Sequence, residues 1–196
     1  YDLMGGLVYC IGGIGLREEG IKLLFVMPLV PWLVKRNNPR EMLLVSACVG
    51  LGFAVEENIQ YFDQSNNTAV SGRFLTANFL HLAGTGLTGY AFCQACKNPR
   101  RWDEFFTVLG VVVVLHGLYD AFIMVPALLE YSLFSMTVFV LLAYQFFGLL
   151  HALRETRSEP LSLTGHFLLG LSVICAVNII YLGQLAGAML ALNILG

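Results

Sequence analysis

Four successive apolar stretches of this chain, each long enough to cross a bilayer, carry ionisable groups in their interiors. The first holds Glu18, Glu19 and Lys22, the second Glu56 and Glu57, the third His81, and the fourth His116 with Asp120. An isolated Arg, Lys or Asp at the bilayer centre costs roughly 2.5 to 3.5 kcal/mol on insertion scales. Groups repeated in this way must face one another or a wet cavity. The pattern predicts an all-α, polytopic transmembrane helix bundle in which several spans contribute to one polar site.

Composition agrees with a membrane location. Of the 196 residues, 57% are hydrophobic and 12% charged, with a mean hydropathy of +0.73, whereas about a quarter of a soluble domain is charged. Polar breaks divide the chain into about six apolar stretches, 1–34, 40–62, 73–96, 103–126, 130–153 and 163–195. A helix needs about 20 residues to cover roughly 30 Å of hydrocarbon. The breaks are too short for a soluble domain, so residues 1–196 are expected to form one transmembrane domain. Its first stretch, beginning at Tyr1 without a Met, reads as a piece truncated from a longer chain. Five cysteines, an odd number lying mostly in apolar stretches, argue against a disulfide framework. Cys93 and Cys96 read as small residues at a membrane edge, and Gly183 and Gly187 as a helix-packing pair. Nothing indicates a nucleic-acid partner or fixes an oligomeric state.

Lys35, Arg36, Arg40, Lys97, Arg100, Arg101, Arg154 and Arg157 all fall in the odd-numbered connections, with Arg73 alone on the other side. By the positive-inside rule these connections face the cytoplasm and both ends of the chain face outward, in a multi-pass protein of the cell membrane. Counted from the basic clusters at about 1.5 Å per residue, Glu19, Glu56 and His81 each lie about 24 Å up their helices and His116 about 23 Å. The polar groups therefore share one level, in the outer half of the bilayer.

Five carboxylates at this level, Glu18, Glu19, Glu56, Glu57 and Asp120, exceed the two cations Arg17 and Lys22. Either a divalent cation compensates or some carboxyls stay protonated. Two histidines, a carboxylate and an open fourth position make a hydrolytic zinc set, and a further glutamate can take a proton from the bound water. His81, His116 and Glu56 fit the first role, and Glu18 or Glu19 the second. Lys22 stands three and four residues on, placed to hold the glutamate pair. Asp120 follows His116 by one turn, as a ligand, an orienting partner or a hydrogen-bonding group for a substrate carbonyl.

Glu18-Glu19-x-x-Lys22, the run Gly52 to Tyr61 containing Glu56-Glu57-Asn58, His81 before a Gly/Thr-rich helix, and His116-x-x-x-Asp120 together resemble the motifs of PrsW-type intramembrane proteases. These belong to the larger group of CAAX prenyl endopeptidases and Abi proteins. The resemblance runs from Glu18 to Asp120. The wider group shows E-E-x-x-x-R and a Phe four residues before its histidine. Here the basic residue is Lys22, one position earlier as in PrsW-like members, and position 77 is Ala. The resemblance implies a membrane-embedded endopeptidase, with Glu18, Glu19, His81 and His116 as its catalytic set and zinc as its metal. It would make a first cut in membrane-anchored regulators near the outer face, and Lys22 points away from prenylated CAAX substrates.

Blander explanations exist for each group. Glu18 and Lys22 could form a buried ion pair that fixes helix register. Carboxylates and histidines at mid-depth also mark proton- or ion-coupled transporters, although no inverted repeat is evident. A catalytically silent scaffold, like the distantly similar scaffold subunit of gamma-secretase, is a third possibility. Arg17 reads as structural, and His151 and His166 as interfacial side chains. Asn66-Asn67-Thr68 matches a glycosylation sequon. Whether the chemistry is that of a metalloprotease or of glutamate-activated water is not decided by these residues.

Overall fold

The computed structural model describes residues 2–64 and 70–153, with backbone alone at 61–64 and 70–75. The expected sixth stretch lies outside the described residues, together with Gly183, Gly187, Arg154, Arg157, His166 and the Asn66-Asn67-Thr68 sequence. Every regular element among the described residues is helical.

The first stretch is a helical run broken twice. Helix α1 (Leu3–Val8) is capped by Asp2, whose carboxylate accepts from the Gly5 N–H at 2.9 Å. It passes into a π segment (Tyr9–Gly15) and resumes as α2 (Leu16–Val26). A 3-10 turn (Met27–Leu29) then leads to α3 (Val30–Arg36). Pro28 and Pro31 account for the second break, since neither can donate a backbone hydrogen bond. Gly12, Gly13 and Gly15 lie in the first, where a wider helical turn is easiest to adopt.

Helix α3 ends on Asn37 in the left-handed conformation, φ 55°, which Asn tolerates better than most residues. Asn38 then caps α4 (Pro39–Gln64), accepting from the Arg40 and Glu41 N–H groups at 3.0 and 3.3 Å. The same residue pair recurs after α5 (Val70–Lys97). There Asn98 accepts from the Arg100 N–H at 3.2 Å and starts the 3-10 turn Pro99–Arg101 that leads into α6 (Trp102–Met124). A last 3-10 turn, Pro126–Tyr131, joins α6 to α7 (Phe134–Ala152).

Three of the described helical stretches, Pro39–Gln60, Pro99–Met124 and Phe134–Ala152, are long and apolar enough to cross a membrane. Helix α5 has 28 residues but is diluted by Asn78, His81, Thr85, Thr88 and Gln94. It can carry them because it is enclosed. Thr76, Ala77, Phe79, Leu80, His81, Ala83, Thr85, Thr88 and Ala91 are all buried, behind α4 on one side and α6, α7 and α2 on the others. The chain is thus a multi-pass helical membrane protein in which, among the described residues, α5 with its interior Asn, His, Thr and Gln residues is enclosed by α2, α4, α6 and α7.

Glycine sets two of the approaches. An added Cβ at Gly15 would lie 2.7 Å from the Val113 carbonyl oxygen, and one at Gly117 would lie 2.5 Å from the Ile11 Cα. The π segment and α6 therefore touch backbone to backbone, just beside Glu18, Glu19 and His116. Trp32, with Arg36 over its ring at 5.3 Å, and Trp102 mark the basic end of the bundle, as interfacial tryptophans do.

Candidate metal centre

Helix α2 offers Glu18, Glu19 and Lys22 from one face, at spacings of four and three residues, and all three are buried. The Lys22 ammonium donates to Glu19 Oε1 at 2.7 Å and stands 3.7 Å from Glu18 Oε2. It also donates across the bundle to His81 Nδ1 of α5, at 2.6 Å. Its side chain has no solvent exposure, so a lone charge there would be prohibitive and the paired one is tolerated.

Both imidazoles are held by carboxylates. His81 Nε2 lies 2.7 Å from Glu57 Oε2 of α4, and His116 Nδ1 of α6 lies 2.8 Å from Glu19 Oε1. Carboxylates at these distances accept an N–H, which fixes the tautomer and aims the other ring nitrogen inward. For His81 that nitrogen is Nδ1, against the Lys22 ammonium. For His116 it is Nε2, which faces Glu18 Oε2 and Asp120 Oδ2 at 3.5 Å each. The two rings meet edge to face with centroids 5.0 Å apart.

Glu18, His81 and His116 each offer one donor atom, and the three donors lie within 4.8 Å of one another. Glu18 Oε2 is buried with no hydrogen-bond partner, a state that is costly unless something else meets the lone pair. Two imidazole nitrogens and a carboxylate are the donors of a hydrolytic zinc ion. Carboxylate–histidine pairs behind both rings are the support such ligands have. The residues therefore fit a metal ion.

The placement differs from expectation at one residue. Glu56 does not join His81 and His116. It is exposed and accepts a hydrogen bond from Gln60, one turn on along the same helix. Successive helical residues are turned by about 100°, and the rotation of α4 sends Glu57, rather than Glu56, to His81. Glu18 takes the place expected for Glu56 in the cluster, while Glu19 is tied to Lys22 and His116. Asp120 is buried beside His116, one turn on. Arg17 is exposed, and so is His151 at the end of α7. Two neighbouring contacts had no sequence signal. Asn58 donates to Asn78 at 2.7 Å, and the Thr76 and Tyr119 hydroxyls meet at 2.5 Å, which ties α4 and α6 to α5 near the site.

The family described as PrsW family intramembrane metalloprotease matches residues 2–146. A protein named Protease PrsW from Clostridioides difficile (strain 630) is 31% identical over 143 residues, which is 67% of this chain and 57% of that relative. The chain thus spans little more than half the length of the relative it matches. No solved structure matches it.

Proposed function

The chain belongs to the PrsW family of intramembrane metalloproteases, and from that premise we propose that it is a membrane-embedded endopeptidase acting on membrane-anchored proteins. The observation that carries the proposal is the buried cluster of Glu18, His81 and His116, drawn from three helices, with a carboxylate behind each ring. His81 and His116 would hold the metal, zinc by the donor types around it, with Glu18 left for the water at its open side; such an ion when bound brings the pKa of a water to about 7 and polarises a carbonyl.

The chain's own groups supply the rest. Glu18 is the acid we assign to the attacking water, because its Oε2 has no hydrogen-bond donor of its own. Glu19 is less suited, since Lys22 and His116 both occupy its Oε1. It acts instead as the acceptor that keeps His116 Nε2 turned inward. Lys22 holds the acidic pair on its helix face and donates to His81 Nδ1, so its ammonium would turn from His81 towards Glu18 and Glu19 when that imidazole takes a metal. Asp120 lies beside His116 Nε2, placed to hydrogen-bond a protonated group of the substrate. Burial of all these groups excludes bulk water and strengthens each interaction.

Taken with the distribution of basic residues, the site would lie in the outer half of the bilayer, with both ends of the covered chain outside. A cut there would be the first, outer-face cleavage of a single-pass regulator. The test uses the full chain in nanodiscs with a synthetic single-pass peptide. Cleavage should disappear with Glu18→Gln, and should be lost on chelation and restored by zinc. The His81→Ala/His116→Ala variant should lose bound metal while keeping its helical circular dichroism. Cleavage that persists in Glu18→Gln would remove Glu18 from the role assigned to it. Full activity in metal-free protein would overturn the metal assignment.

A further inference from the structure

A groove of about 520 Å³ runs between α2 and α4, within the range of roughly 300 to 1,000 Å³ typical of ligand sites. Ile21, Phe25, Val49 and Phe53 form its walls, and its floor is Gly52, where an added Cβ would meet nothing within 4 Å. Ile21 and Phe25 are exposed on its lip, flanked by exposed Leu24 and Val55. In a membrane this lip faces lipid.

The groove leads to the cluster. Its inner end is Lys22, whose ammonium lies 4.6 Å from the centre of the Phe53 ring, and that ring lies 5.6 Å from the ring of His81. Phe53 therefore touches both the groove and the polar site. At the rim stands one charged group, Glu56, whose hydrogen-bond partner is the neutral amide of Gln60. A carboxylate facing hydrocarbon is costly when alone, and it favours an occupant that brings a positive charge. A lipid tail would match the walls but not the rim. An apolar peptide segment with one basic residue matches both.

We infer that this groove receives an apolar membrane segment of the protein to be cut, and that Glu56 selects segments carrying Lys or Arg near the scissile bond. The inference rests on the proteolytic reading of the site for its consequence, but docking is measurable without cleavage. Glu56 acts here as a specificity residue, and Gly52 and Phe53 shape the passage.

The test places the full chain, with Glu18→Gln to prevent cleavage, in phosphatidylcholine nanodiscs. It is mixed with synthetic Leu/Ala transmembrane peptides that carry photo-leucine and a single Lys, Gln or Glu. On irradiation, the Lys peptide should be captured roughly tenfold over the Glu peptide, an effect of the size expected for one charge pair shielded from water. Adducts should map to the groove walls. Glu56→Lys should reverse the preference, Glu56→Gln should level it, and Gly52→Trp should block capture. Equal capture of all three peptides, a preference that Glu56→Lys leaves unchanged, or adducts on lipid alone would overturn the inference. Cutting is scored separately with Glu18 intact. Charge-selective capture without cutting leaves the groove standing and removes the protease proposal. Cutting without charge preference does the opposite.

Discussion

Replacing Gly117 by Ala should damage both stability and chemistry, because the close approach of α6 to the π segment leaves no room for one methyl group. The added Cβ would lie 2.5 Å from the Ile11 Cα, 2.7 Å from its Cγ1 and 2.8 Å from its N. Ordinary carbon contacts are about 3.5 to 4.0 Å. Two of the three obstructing atoms are backbone, so a rotamer change cannot relieve the clash. The helices must part by roughly 1 Å. Overpacking of this kind costs about 1 to 3 kcal/mol, or roughly 2 to 12 °C in Tm for a chain of this size. The shift acts one residue from His116, whose Nδ1 must stay 2.8 Å from Glu19. A 1 Å misplacement in an active site can cost about a hundredfold in rate. Gly110, two turns back on the same helix, is the control, since a Cβ there meets nothing within 4 Å. Thermal unfolding in nanodiscs and cleavage of a synthetic single-pass peptide should show both losses in Gly117→Ala and neither in Gly110→Ala. Wild-type stability and rate in Gly117→Ala, or equal losses in the two variants, would refute the role given to the backbone contact.

Two further outcomes follow from the polar cluster. Glu57→Ala frees His81 Nε2, and zinc affinity measured by competition with a chromogenic chelator should fall about 10- to 100-fold, as when such supporting carboxylates are removed elsewhere; unchanged affinity would remove Glu57 from the site. Lys22→Met leaves the Glu18–Glu19 pair without its ammonium and should cost about 3 to 5 kcal/mol in unfolding measurements, with much of that loss recovered when Glu19→Gln is added. Additive losses in the double variant would show that Lys22 and Glu19 do not act as a pair.

Part of the polar cluster was legible in the sequence because helices report depth. Counting 1.5 Å per residue from the basic ends put Glu19, His81 and His116 at one level, and in the structure Glu19 bonds His116 while Lys22 joins Glu19 to His81. Spacing along α2 likewise gave the pairing of Lys22 with both glutamates. Rotation was not visible. Glu56 and Glu57 share a depth and differ only in direction, and direction depends on how α4 packs against α5. The same limit hid Glu18 beside the two histidines, since one helix cannot show which of its acids faces a partner. Nor did six apolar stretches, each long enough to span a bilayer, disclose that α5 would be the enclosed one among the described helices. Its Asn, His, Thr and Gln residues hinted at this, because only neighbours can shield them. The π segment had no clear signature either: Gly12, Gly13 and Gly15 look like ordinary packing glycines until α6 is seen against them.

The enclosure of α5 also constrains how the protein comes to be in a bilayer at all. A helix with Asn78, His81 and Gln94 along its length gains little from leaving water by itself, so its stability in hydrocarbon is lent by α4, with which it shares its largest contact. The two are consecutive in the chain, and the physically favourable course is for them to insert together as a hairpin, before α6 and α7 close around them. His81, the residue by which α5 joins the polar cluster, is thus also one of those that weaken its insertion alone.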